Sequence, residues 1–246
     1  MITKTELDKL AKEYETKDFI KDDPVRFPRR FKDKKDIEIA GFISSLVAYG
    51  KRELFTKKLD QLFEIAQNEP LNFILNFEAK ILGDFNYRFG KTEDFAQIFS
   101  ILKEMYSKDG GLEECFKQGY EFDENIFTTV CDYFYKRAKN QKQGFCFMIP
   151  NPRNGGAMKR MCMYLRWMVR KSPVDLGIWD FMPTSDLLIP LDVHVGRVSR
   201  EMGLLTRKQN DFKAVIELTE NLKKLDPKDP VKYDFAMFGY GVNRSK

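Results

Sequence analysis

Histidine, paired cysteines and long apolar runs are what this sequence has least of. It holds one histidine and four cysteines in 246 residues. Cys115, Cys131, Cys146 and Cys162 are 16, 15 and 16 residues apart, with no CxxC. That spacing disfavours a zinc site or a redox pair and leaves ordinary buried thiols, so no metal and no cofactor is expected. The longest nearly uncharged apolar stretch, AGFISSLVAYG at 40–50, falls far short of the ~20 residues a membrane span needs. The opening MITKTELDKLAKEYETK is too charged for a signal peptide. A cytoplasmic protein without a membrane partner is expected. Internal repeats, low-complexity linkers and the phosphate-binding patterns GxGxxG and GxxxxGKS/T are missing too, which weakens a phosphometabolite reading.

Hydrophobic residues make up 43% and charged residues 32%, a globular balance that excludes disordered, collagenous and disulfide-scaffold classes. The length suits residues 1–246 as one large domain or two closely packed lobes. Net charge is +5, but it is uneven. Residues 133–174 hold ten Lys or Arg and no Asp or Glu, so the remaining 204 residues sum to −5. A basic block in an otherwise acidic chain points to a polyanion-facing surface, nucleic acid first and phosphorylated metabolites second, or else to a solvated helix face.

Helical periodicity runs through the chain. Ile37, Ala40, Ile43, Ser44 and Val47 recur at helical spacing, as do Leu54, Leu59, Leu62, Phe63 and Ile65, and Phe95, Ile98, Phe99, Leu102 and Met105; further periodic segments cover about 124–138, 157–170, 211–225 and 230–238. In the last, Asp229 and Pro230 fit the N-cap and first helical position, and Gly239 the stop. An all-α fold is predicted, with room for short extended pieces at 145–150 and 193–198.

Two segments carry the candidate chemistry. On a wheel, Met158, Met161, Cys162, Leu165, Met168 and Val169 form an inward face, while Lys159, Arg166 and Arg170 fall within a ~40° stripe that would project as a basic ridge. Lys159 and Arg160 sit in the opening turns, where the macrodipole disfavours a cation by ~0.3 to 1 kcal/mol. Either an anion binds that helix end, with Gly155 and Gly156 admitting its close approach, or Lys159 is a nucleophile, or it is an exposed lysine without a role. In IPLDVHVGRV at 189–198, Asp192 has N-cap placement. A carboxylate held in this way could also stabilise a developing cation or move a proton. His194 reads as a packing or phosphate-contacting residue, and Arg197 and Arg200 add positive charge nearby.

LIPLDVHVGRVSREMGLL at 188–205 resembles the aspartate signature of the helix-hairpin-helix DNA glycosylase superfamily. The chain is also similar to an uncharacterised bacterial family, DUF2400-like, with KRxxxxLRWMVR and IPLDxHxxRV segments, and in spacing to the archaeal 8-oxoguanine glycosylases. The resemblance covers roughly residues 36–240. It implies a two-lobed helical fold with a cleft lined by 45–55, 153–170, 188–200 and 230–240, and an atypical hairpin, because NPRNGGAMK at 151–159 stands where most members have LPGxGxK. It assigns the Schiff-base lysine to Lys159, 33 residues before Asp192. Asp234 and Phe238 would hold an extruded base, with Arg166, Tyr49 and Gly50 also lining the substrate site. Gly50 stands where those proteins present a base-reading glutamine, and Phe238 where they have a tryptophan.

The resemblance therefore implies a monomeric base-excision glycosylase with AP lyase activity, acting on double-stranded DNA that contains a damaged base, 8-oxoguanine favoured. Catalysis would fall to Lys159 and Asp192. Lys51, Arg52, Arg153, Gly155, Gly156, Arg160, Arg170, His194 and Arg197 would contact DNA, with Tyr49, Lys51 and Arg52 as candidates for the wedge that fills the gap left by a flipped base. Trp167 and Trp179 suit the core better than base stacking. The alternatives are a monofunctional glycosylase using Asp192 only and a helical nucleic-acid-binding module without chemistry.

Overall fold

The chain is all-helical, as its periodicity predicts. The computed structural model describes residues 2–243. Its helices are α1 (Lys4–Tyr14), α2 (Lys17–Ile20), α3 (Lys34–Val47), α4 (Arg52–Ile65), α5 (Pro70–Leu75), α6 (Thr92–Lys108), α7 (Leu112–Phe122), α8 (Phe127–Arg137), α9 (Gln143–Met148), α10 (Lys159–Val169), α11 (Val193–Glu201), α12 (Phe212–Leu225) and α13 (Tyr233–Asn243). Among the described residues there is no β-strand, only isolated bridges, and no helix long and apolar enough to cross a membrane. The chain divides into two compact units. An inner unit is residues 26–154, and a terminal unit joins the segment up to Val25 to the chain from Gly155 onward.

The inner unit is built on α3. Asp33 caps it by accepting the Lys35 N–H at 2.9 Å, and every residue from Ile37 to Val47 is buried. Phenylalanines pair within its core: Phe42 stacks on Phe134 with centroids 5.6 Å apart, Phe27 on Phe63 at 5.5 Å, and Phe73, Phe77 and Phe99 meet edge-on. The buried Glu38 accepts the Tyr106 hydroxyl at 2.9 Å, as a carboxylate removed from water requires. Leu54, counted in the apolar period of α4, is 49% exposed.

In the terminal unit α10 is buried on all sides, from Met161 to Val169. Trp167 and Trp179 are core residues, the latter edge-on to Tyr164. α1 packs on α13 through Gly239: a Cβ there would lie 2.2 Å from Cγ of Tyr14. Gly239 is thus not the predicted stop, and the helix runs through it to Asn243. Asp229 does precede a turn beginning at Pro230, but that turn is a 3-10 segment leading into α13. The residues read as extended pieces, 145–150 and 193–198, lie largely in α9 and in α11. Tertiary packing overrides their β-branched and aromatic content.

Candidate functional site

The start of α10 is unusual in three respects. Met158, its N-cap, is buried in a left-handed conformation at φ 51°, a region that costs a non-glycine residue of order 1 kcal/mol or more. Its side chain offers no capping acceptor. Lys159 then occupies the first helical position, half-buried. Gly155, at φ 70°, and Gly156 precede it, with open space where their Cβ atoms would be. The Gly155 carbonyl accepts the Phe212 N–H at 2.8 Å, tying this approach to the head of α12.

Asp192 faces this lysine from the head of α11. As N-cap it accepts the Val195 N–H at 2.9 Å through Oδ1, which leaves Oδ2 turned to Lys159 Nζ at 3.9 Å. Asn210 donates to the Asp192 carbonyl at 3.2 Å. Asn210 in turn accepts from Arg200 at 2.7 Å, and Arg200 also donates to the Arg207 carbonyl. Arg200 therefore braces the 207–210 loop behind the aspartate. The side chains of Lys159 and Asp192 are 31% and 21% exposed, so the pair is sheltered yet open to solvent on one side.

Asp234, in the first turn of α13, completes an acidic flank. Its carboxyl is pushed up to about 6, chiefly by burial, with the charge of Asp192 adding to the rise while Arg166 and Lys159 oppose it. One of its oxygens pairs with Arg166. Phe238 follows one turn later, half-buried, edge-on to Phe19 at 6.1 Å and to His194 at 6.2 Å. Arg197 donates to the Gly241 carbonyl at 3.0 Å and faces Glu201 at 3.7 Å. Lys159, Asp192 and Asp234 thus gather at the heads of α10, α11 and α13, and Phe238, one turn further along α13, meets His194 of α11.

The basic ridge does not form. Arg166 and Arg170 are 2% and 4% exposed, because α10 is enclosed on the face the wheel assigns to solvent. Arg166 Nε donates to Asp175 at 3.1 Å, and its other end meets Asp234. Arg170 donates to Asp175 at 2.8 Å, to Asp229 at 2.9 Å and to Glu15 at 3.1 Å. Neither guanidinium can serve as a surface phosphate contact or a direct substrate contact. The wider basic block is similarly interrupted, for Arg137, Lys142 and Arg153 face Glu104, Glu93 and Asp132, and it is divided between the two units. Asp175, fully buried and shared by both arginines, is the residue sequence reasoning missed. Its one signal is an Arg pair four apart on an otherwise apolar helix, which demands a nearby acid.

Tyr49, Gly50, Lys51, Arg52 and Arg153 belong to the inner unit. Tyr49 is half-buried, its hydroxyl donating to the Tyr87 carbonyl at 2.8 Å; Lys51 and Arg52 are exposed at the head of α4. Arg153 donates to Asp132 at 2.9 Å while staying exposed. Burial raises the Cys115 thiol to about 12 and pushes Cys131 and Cys162 up as well, so these thiols are inert packing residues.

A family model described as "Protein of unknown function (DUF2400)" matches residues 23–243. No curated protein and no solved structure matches the chain.

Proposed function

The chain belongs to the DUF2400 family, and from its own geometry we propose that it is a DNA base-excision glycosylase with AP lyase activity, acting through Lys159 and Asp192. One observation carries the reading: an amine and a capped carboxylate, distant in sequence, stand 3.9 Å apart and partly open to solvent. An amine that attacks carbon must first give up a proton to a base within reach. Asp192 Oδ2 is that acceptor, kept in direction by the bond from the Val195 N–H to Oδ1.

The amine then forms a bond to the sugar C1′ as the bond from C1′ to the base breaks, and the base leaves with the electron pair and takes up a proton. The proton that Asp192 received passes to the leaving base, so the carboxylate is ionised again as cationic character develops on the sugar, which its charge then stabilises. Opening of the sugar ring, with a proton to its oxygen, gives an imine; loss of a C2′ proton and of the 3′ phosphate completes strand scission. The edge of Phe238 and the carboxyl of Asp234, one turn apart on α13, suit the face and ring N–H groups of an extruded purine. An oxidised purine, 8-oxoguanine first, is the substrate class proposed. DNA phosphates would meet the head of α10 beside Gly155 and Gly156, where open space lets a backbone approach.

The test is borohydride trapping on duplexes carrying 8-oxoguanine or an abasic site. A covalent adduct that Lys159→Gln abolishes supports the reading. Base release without an adduct would instead indicate hydrolysis driven by Asp192 with water, and failure to release any base would reject glycosylase activity.

A further inference from the structure

The inner unit carries an exposed aromatic cluster that the Lys159 site does not use. Phe89 and Phe147 are 41% and 36% exposed. Their rings lie 4.8 Å apart, and each meets Tyr49, at 6.3 Å and 4.7 Å. The planes of Tyr49 and Phe89 are within 13° of parallel. The cluster is braced from behind, where Tyr49 and Tyr87 exchange hydrogen bonds, each hydroxyl donating to the other's carbonyl at 2.8 and 2.5 Å.

A cation lies beside these rings. The Arg88 guanidinium lies 5.8 Å from the Tyr49 ring and 5.9 Å from that of Phe89. Gly50, at φ 83°, makes room for it, since a Cβ there would lie 2.1 Å from Arg88 Nη1. A hollow of about 360 Å³ adjoins, lined among others by Lys57, Lys58, Arg88 and the exposed Leu54. Between Tyr49 and Lys58 the chain has four cations and a single carboxylate, Glu53.

Exposed rings in mutual contact, flanked by an arginine and by a lysine-lined hollow, are what unstacked bases and their phosphates require: each base finds a π-face, and the backbone finds positive charge. An anionic lipid surface is served less well, because the hydroxyls of both tyrosines are committed to backbone carbonyls and no long apolar helix face is offered for insertion. We propose that Tyr49, Phe89, Phe147 and Arg88, with Lys57 and Lys58, form a binding site for single-stranded nucleic acid on the inner unit. This goes beyond the glycosylase reading, since it requires no chemistry at Lys159.

The test is fluorescence anisotropy on the full chain with a labelled oligo(dT) of about twelve nucleotides, beside a duplex of equal length and vesicles containing anionic lipid. The wild type should bind the oligonucleotide in a salt-sensitive manner. Phe89→Ala/Phe147→Ala should weaken it at least about tenfold, and Lys57→Glu/Lys58→Glu should weaken it and flatten its salt dependence. Phe89, Phe147 and Lys57 are exposed and Lys58 is half-buried over the Phe85 ring, and unchanged circular dichroism checks that the variants fold. Trapping is read at Lys159 and single-strand binding at Phe89 and Phe147, so a missing borohydride adduct and a missing single-strand site are separate failures. Equal affinity in the phenylalanine variants, no binding of oligo(dT), or binding of vesicles in its place would overturn the proposal.

Discussion

Glu15 and Arg170, 155 residues apart in sequence, are joined by a bidentate ion pair, one arm of which measures 3.1 Å. Through it the end of α1 is fastened to the end of α10, and Asp175 links the same arginine to Arg166. Buried charges of this kind are costly to strand, because the remaining partner has lost its water and keeps no counter-charge. Asp175→Ala is expected to destabilise the protein by about 3 to 5 kcal/mol, read as a large drop in melting temperature. A shift of only a degree or two would mean that solvent reaches the two guanidiniums.

Asp192 has two separable duties, capping α11 and carrying charge toward Lys159. Asparagine caps nearly as well as aspartate, whereas alanine does not. Asp192→Asn should keep its stability to within a few tenths of a kcal/mol yet lower adduct formation by roughly 10²-fold or more. Asp192→Ala should show the same loss of activity and, in addition, about 1 kcal/mol of lost stability. Chemical denaturation and trapping kinetics on the same samples separate the two duties.

Asp234 makes the terminal unit sensitive to pH. Its folded carboxyl titrates at about 6, against 3.8 for the ordinary group, so the folded chain keeps a proton there that the unfolded chain releases first. The stability this confers is complete below about pH 4 and is lost as pH rises through 6, with an amplitude on the order of 3 kcal/mol. The melting-temperature difference between wild type and Asp234→Asn should therefore move against the wild type between about pH 4 and pH 7. A difference that stays constant across that window would place the Asp234 carboxyl in the ordinary range.

Gly239 should tolerate no side chain. Alanine is the better helix former by about 1 kcal/mol, but its methyl would sit 2.2 Å from the Tyr14 ring. Gly239→Ala is expected to destabilise by about 1 to 3 kcal/mol, and Tyr14→Ala in the same chain should relieve the clash, giving a favourable coupling energy in a double-mutant cycle.

The helices were legible because their apolar residues recur at 3.6-residue spacing, and α3, α6 and α10 bury the residues that spacing selects. Lys159 and Asp192 were each singled out by a local signature, a cation in an opening turn and an aspartate in N-cap placement, whereas their pairing came from the family resemblance. Arg166 and Arg170 were misread because a wheel assigns faces but not neighbours. The carboxylates that neutralise them come from Glu15, Asp175, Asp229 and Asp234, on separate stretches of chain. Gly239 was misread for the same reason, since glycine late in a helix signals a stop unless a distant ring, here Tyr14, needs the space. The Phe89–Phe147 cluster left no periodic trace, as its rings come from loops and a short helix spread over about a hundred residues.

Mass spectrometry of the borohydride-reduced complex tests the central claim most directly. After trapping on an abasic duplex and digestion of both protein and DNA, the sugar remnant should be found on Lys159 and should disappear from Lys159→Gln. A remnant attached to another lysine, or an adduct formed equally well without Lys159, would contradict the account.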